Sequence, residues 1–267
     1  MHLWYDNPTC LHEVGAVVNA FSLMVAVGAG LGLVHVLRGT PEVTSRRWIL
    51  AGALMLLAGF VGARLGYALI HEPYFDAHPQ EIFQVWLGGL TWPGALPACL
   101  LAAYLLAFSW RVPVGLVVDR LAGMAFPVAA GAWIGCWLVG AAYGSPVGEN
   151  AWYGLMIQDE TGAIMSRFPV QPLAAVVLVL SYSLLPRPRP GRPVEPGVSG
   201  LGALMVLGLN LLVFSALVDV PGPRWNGQRI ETWAALALAA VAALILFFTR
   251  RIAARRQNVL LDVGREP

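Results

Sequence analysis

The chain reads as an all-α integral membrane protein of seven transmembrane helices, and three observations predict it. Hydrophobic residues fill 58% of the 267 positions and charged residues only 12%, far from the balance of a soluble domain. Seven apolar stretches approach the roughly 20 residues that a helix needs to cross a hydrocarbon core. The arginines gather in every second connection, as basic residues do in short loops retained on the cytoplasmic side.

Taken in order, the first span covers residues 15–37. Its leader, MHLWYDNPTCLHEVG, carries no lysine or arginine and two acidic residues, so the expectation is a retained helix and not a cleaved signal peptide. The second span, 48–70, contains Arg64. The third, 94–109, is short and expected to tilt among its neighbours. The others are 121–140, 169–185, 198–218 and 232–249.

Thirteen arginines fall on one side of these spans: Arg38, Arg46, Arg47, Arg111, Arg120, Arg187, Arg189, Arg192, Arg250, Arg251, Arg255, Arg256 and Arg265. Only Arg167, Arg224 and Arg229 fall on the other. The amino terminus is therefore expected outside and the carboxyl terminus in the cytoplasm. Residues 1–267 form a single membrane domain, with 250–267 as a basic cytoplasmic tail. The net charge of +2 suits anionic inner-leaflet lipid, at about 1 kcal/mol per basic residue near the surface, and gives no reason to expect nucleic acid.

The connections carry their own signals. Within 70–92, Pro79 opens a stretch with Ile82, Phe83 and Trp86 at helical spacing, ending at Gly88 and Gly89, which predicts a short extracytoplasmic helix lying at the membrane surface. Residues 141–168 are broken by Gly144, Pro146, Gly148 and Gly162, and carry Trp152 and Tyr153 suited to the headgroup layer. The run 186–196, PRPRPGRPVEP, is a proline-stiffened linker. Cys10, Cys99 and Cys136 form neither a disulfide framework nor a zinc spacing. No repeat at a fixed period is visible.

Arg64 stands out among the polar residues. A guanidinium at membrane depth marks a functional site by default, and its rigid fork of donors matches phosphate. It also lies close enough to the end of its helix to snorkel toward headgroups. Asn19 and Asn210 sit in mid-span, where an amide commonly hydrogen-bonds a neighbouring helix. Asp119 and Arg120 stand at the start of the fourth span and are expected to cap or orient it; His35 lies near a helix end. His71 and His78 share a loop with Glu72, Asp76 and Glu81, in a spacing that matches no metal template. Seven spans also suggest a retinal protein, but a Schiff base requires a lysine amine and the sequence contains no lysine.

Residues 62–96, GARLGYALIHEPYFDAHPQEIFQVWLGGLTWPGAL, resemble a segment of the bacterial prolipoprotein diacylglyceryl transferases that reads GxRxGYxLF, then HPLEIF, a tryptophan, and GGMSFHGGL. Gly62, Arg64, Gly66, Tyr67, Pro79, Glu81, Ile82, Phe83, Trp86, Gly88, Gly89 and Gly94 fall in register. The first span keeps Leu23, Met24 and Gly28 of the family's HWYGLMYLVG. The stretch from Asp119 is similar to DxxAPxxPxGxxxGRxGNFxxGxxxG, with Asp119, Ala122, Gly135, Gly140 and Gly144 in place. Arg167, Pro169 and Gln171 match RHPSQLYE, and Val198 to Leu201 match the start of the sixth helix.

The resemblance implies a seven-helix fold and transfer of a diacylglyceryl group from phosphatidylglycerol to the cysteine thiol of a lipoprotein precursor, releasing glycerol phosphate, without metal or cofactor. A leaving phosphate calls for arginine clamps, and the attacking thiol needs activation. The charged and polar positions of that family are substituted here. Its first-span tyrosine is Phe21, its histidine Pro93, its GRxGN arginine and asparagine Trp133 and Cys136. Its sixth-helix arginine and glutamate are Asn210 and Phe214; the histidine and glutamate of RHPSQLYE are Phe168 and Ala174. What remains for a lipid site is Arg64, Gly89, Gly94, Gly135, Arg167 and Gln171.

Two readings follow from the resemblance. In one, the scaffold binds anionic phospholipid such as phosphatidylglycerol, or a lipoprotein precursor or membrane-complex partner, without catalysis, its cavity filled by Trp92, Trp133 and Phe168. In the other, a divergent transferase uses Arg64 and Arg167 on phosphate and His71 or His78 as base. Removing one oxyanion donor costs about 10²- to 10³-fold in rate, which favours the first. A transporter has less support, since no inverted repeat is evident.

Overall fold

The structure, a computed structural model, describes the backbone of residues 8–38, 42–85, 88–148, 150–158, 162–185 and 195–263, and side chains between 20 and 252 within those bounds, except 42 and 43. The order is α1 (Pro8–Arg38), α2 (Glu42–Ile70), α3 (Glu72–Ala77), a 3₁₀ turn (Pro79–Phe83), α4 (Trp92–Trp110), α5 (Val114–Leu121), a second 3₁₀ turn (Ala122–Met124) and α6 (Ala125–Leu138). There follow β1 (Leu155–Gln158), β2 (Ile164–Arg167), α7 (Val170–Leu184), α8 (Val198–Leu217), β3 (Arg224–Trp225), β4 (Gln228–Arg229) and α9 (Ile230–Val263).

Six helical runs are long and apolar enough to cross a membrane: Ala20–Arg38, Thr44–Ile70, Trp92–Trp110, Val114–Leu138, Val198–Leu217 and Ile230–Ile252. The fifth expected span is α7, apolar but 15 residues long. At 1.5 Å per residue it covers about 22 Å, less than a hydrocarbon core of about 30 Å.

Element ends depart from the sequence pattern for local reasons. α4 starts at Trp92, before the expected residue 94, because Pro93 sits in its first turn, where its missing N–H has no intrahelical acceptor to lose. α4 ends on Arg111 in the left-handed region, φ 55°, ψ 40°, a conformation that costs a residue with a Cβ about 1–2 kcal/mol and is usually filled by glycine. The fourth span begins at Val114, not 121, as α5, the 3₁₀ turn and α6 run on without a break. The expected surface helix is a five-residue 3₁₀ turn preceded by α3. His78, restricted by the following Pro79, breaks between the two at φ −133°, ψ 59°. The basic tail continues α9 as helix to Val263.

The helices pack mainly as α1 on α6, α2 on α4 and α8 on α9, and each pair meets at a glycine. A methyl group on Gly28 of α1 would lie 2.2 Å from the Pro127 carbonyl oxygen, one on Gly94 of α4 2.2 Å from that of Gly62, and one on Gly208 of α8 2.9 Å from the Ala239 nitrogen. Leu50, Leu54, Leu57, Phe60, Val61, Leu65 and Leu69 of α2 point outward while Ala51 and Ala63 are buried. Lipid removes the hydrophobic drive between helices, so association depends on close packing of small residues, and the large apolar ones are left to the acyl chains.

The connection 141–168 is more ordered than its glycines suggested. β1 and β2 pair antiparallel from Leu155↔Arg167 to Gln158↔Ile164; an isolated bridge Pro146↔Arg167 folds the segment on itself, and another, Gly144↔Val218, ties it to the end of α8. β3 and β4 form a second hairpin. Its Asn226 and Gly227 both have positive φ, 50° and 80°, the pattern of the two-residue turn that matches strand twist.

Candidate functional site

Arg64 is 6% exposed on α2. Its Nε donates to the carbonyl of Ile82 at 2.8 Å. One terminal nitrogen donates to Gly88 and Gly89, the other to Glu81 and Gln84. Five N–H groups meet five carbonyls, so the fork is saturated. Tyr67 and Phe75 stand 5.9 and 5.4 Å from its central carbon. Gly89, at φ 76°, lies so close that a methyl there would come within 2.6 Å of the guanidinium. In the structure all of this arginine's donors are directed at backbone carbonyls. It gathers the backbone of 81–84 and 88–89, and Thr91 N–H donating to Ala63 pins the following chain to α2.

The second polar group lies among α6, α7 and α8. Arg167, 5% exposed at the end of β2, stacks its guanidinium over Tyr143 at 4.0 Å and reaches the Gly144 carbonyl at 3.4 Å. Gln171, the second residue of α7 and fully buried, donates to the Ala141 carbonyl at 2.8 Å. Asn210 of α8 donates to the Ala174 carbonyl at 3.1 Å, the helix-to-helix bond expected of a mid-span amide. The oxygens Gln171 Oε1 and Asn210 Oδ1 are buried and accept no hydrogen bond, a cost of about 1–3 kcal/mol each when uncompensated.

Around these amides the interior is aromatic. Trp133 and Phe214 meet edge to face with centroids 6.3 Å apart inside the core cluster, and Trp92 and Phe168 pack against the same cluster. Phe21 lies against Gly135, where a methyl would come within 2.9 Å of its ring. Gly94 and Gly135 are thus occupied by helix contacts.

Other candidates take structural partners. Asp119 caps α8 and not its own helix, accepting from Gly197 N–H at 2.7 Å, Ser199 Oγ at 2.9 Å and Gly200 N–H at 2.6 Å. The turn of sequence between α7 and α8 gave no sign of this pairing across more than 75 positions. His35 Nε2 meets the Tyr182 hydroxyl at 2.9 Å. His71 Nδ1 lies 3.0 Å from the Tyr67 carbonyl and His78 Nδ1 3.1 Å from that of Tyr74. Tyr74 donates to Glu81 at 2.7 Å. No cluster of three metal-ligating side chains exists among the described residues. The side chains of Cys10, Asn19 and Trp86 lie outside the described residues. Tyr143 and Tyr182 were not singled out from the sequence; neither stands at a spacing that ties it to Arg167 or His35.

The family model described as prolipoprotein diacylglyceryl transferase matches residues 8–258. The chain belongs to this family. A phosphatidylglycerol–prolipoprotein diacylglyceryl transferase of Verminephrobacter eiseniae is 27% identical over 264 residues, covering 94% of this chain and 92% of its own. The protein of that name from Burkholderia ambifaria is 25% identical over 75% of this chain and 72% of its own, and that from Cupriavidus metallidurans 28% over 70% and 74%. The apolar helices and the family together make the chain a multi-pass protein of the bacterial cytoplasmic membrane.

Four residues that the sequence singled out take structural places. Pro93 starts α4, Phe21 packs on α6, and Trp133 and Phe214 fill the core. Two clefts on the described surface lie elsewhere, one at the end of α4 and one between α8 and α9 beside Arg250 and Arg251.

Proposed function

We propose that this chain is a catalytically silent member of the transferase family that holds anionic phospholipid in the membrane, with its amino terminus outside. The observation that carries this reading is the Trp133–Phe214 contact. Diacylglyceryl transfer requires charge stabilisation on the departing glycerol phosphate and a base for the thiol. Here the positions that resemble the family's arginine and glutamate hold two rings in van der Waals reach, and the position of its histidine holds a proline. Arg64, the other cation, spends its donors on the loop.

Arg167, Gln171 and Asn210 support the binding half of the proposal. A phosphate matches the guanidinium, and headgroup hydroxyls would supply donors to the two amide oxygens that accept none. Phosphatidylglycerol, named in the relatives' descriptions, has both groups. The arginine asymmetry supports the orientation, which a carboxyl-terminal fluorescent fusion tests: fluorescence fits a cytoplasmic end, and its absence at full expression contradicts it.

Complementation tests the catalytic claim. Expression at normal membrane levels in a strain depleted of its own transferase is expected to leave precursors unmodified. Restored lipid modification would overturn the proposal and favour a divergent enzyme.

A further inference from the structure

We propose a second phospholipid site, at the opposite end of the bundle from Arg64: the cleft at the carboxyl end of α4 binds one anionic phospholipid, with its phosphate on Arg111. It is independent of Arg167.

The cleft encloses about 560 Å³, and its walls are amphiphilic. Tyr104, Ala107, Phe108 and Val114 offer an apolar and aromatic floor, while Ser109 and Arg111 bring a hydroxyl and a guanidinium to one end. An acyl chain suits the first and a phosphodiester the second. Phe108 is 74% exposed, so the floor is open to acyl chains from the bilayer.

Arg111 itself points to a ligand. It occupies the left-handed region, where glycine or asparagine would sit with little strain, and a strained residue kept at a cleft is a feature of ligand clamps. Its neighbours are engaged: Arg47 lies over Trp110 at 3.9 Å, Arg120 over Trp48 at 5.9 Å, and Asp119 is held by three donors of α8. Among the described residues the Arg111 guanidinium has no hydrogen bond or ion pair. Arg46, Arg47 and Arg120 share this end and add a positive field, so charge complementarity selects an anionic headgroup over a zwitterionic one.

Native mass spectrometry of the full chain with phosphatidylglycerol and with phosphatidylcholine of matched acyl chains tests this. Wild type is expected to retain phosphatidylglycerol at least fivefold better. Arg111→Gly and Arg111→Asn, both compatible with the backbone, are expected to keep the melting temperature and lose that preference at this site, whereas Arg167→Gln leaves it. Equal retention of both lipids by wild type, unchanged binding in the Arg111 variants, or a fall in melting temperature in both of them would overturn the site. Loss of binding in Arg167→Gln alone would overturn it while supporting the Arg167 site; loss in the Arg111 variants alone would do the reverse.

Discussion

Trp133 of α6 and Phe214 of α8 meet edge to face with ring centroids 6.3 Å apart, both nearly buried. In the register proposed above, these positions correspond to an arginine and a glutamate of the transferases, so an aromatic contact would stand in the place of two opposite charges. One buried charge facing a ring would be left without a partner, at several kcal/mol.

That coupling predicts a non-additive pair. Trp133→Ala should cost about 3–5 kcal/mol as a core truncation, and Trp133→Arg at least as much. Adding Phe214→Glu to Trp133→Arg should recover part of the loss, because contacting residues couple by about 0.5–3 kcal/mol. Equilibrium unfolding in detergent measures all three. Strictly additive losses would show that the two positions do not form one unit.

Arg64 gives a test of geometry against charge. Lysine keeps the charge but offers three donors from one point, and cannot span the carbonyls of Glu81, Ile82, Gln84, Gly88 and Gly89. Arg64→Lys and Arg64→Ala should both loosen the loop, on the order of 3 kcal/mol for the charge-assisted bonds lost. Limited chymotrypsin digestion at the exposed Phe83 should become faster in both. Wild-type cleavage in the lysine variant would mean that charge alone suffices.

Asp119 holds α8 through two backbone N–H groups and one hydroxyl. Asp119→Ala should lower stability by about 2–3 kcal/mol, from lost charge-assisted bonds and the helix N-terminal dipole. Ser199→Ala, which removes one bond, should cost about 1 kcal/mol. Melting temperatures in mild detergent check the order, and equal effects would contradict it.

Gly94→Ala tests the α2–α4 crossing. Its methyl would fall 2.2 Å from a backbone oxygen and 2.7 Å from the Gly66 Cα, neither able to swing away, so overpacking of about 1–3 kcal/mol follows. Gly202→Ala, with open space around it, should be stabilising or neutral. Thermal unfolding of the two variants side by side would refute the packing account if they matched.

The apolar spans, the membrane setting and the family were legible in the sequence, because hydropathy and motif register are local properties. Arg64 could be named as exceptional for a local reason, since an arginine is costly at membrane depth, and Arg167 from its place in a family motif. What such a residue does with its donors depends on chain distant in sequence. Arg64 reaches carbonyls 17 to 25 positions away, Asp119 caps a helix 78 to 81 positions on, and Trp133 finds Phe214 across two helices. The fifth expected span is present as α7, a helix of 15 residues between Pro169 and the turn at Leu185. The sequence by itself determined that this is a membrane protein of the transferase family. Only the tertiary structure decided that Trp133 and Phe214 close on one another in a packed core, because mutual packing depends on which helix faces meet and no local pattern carries that information.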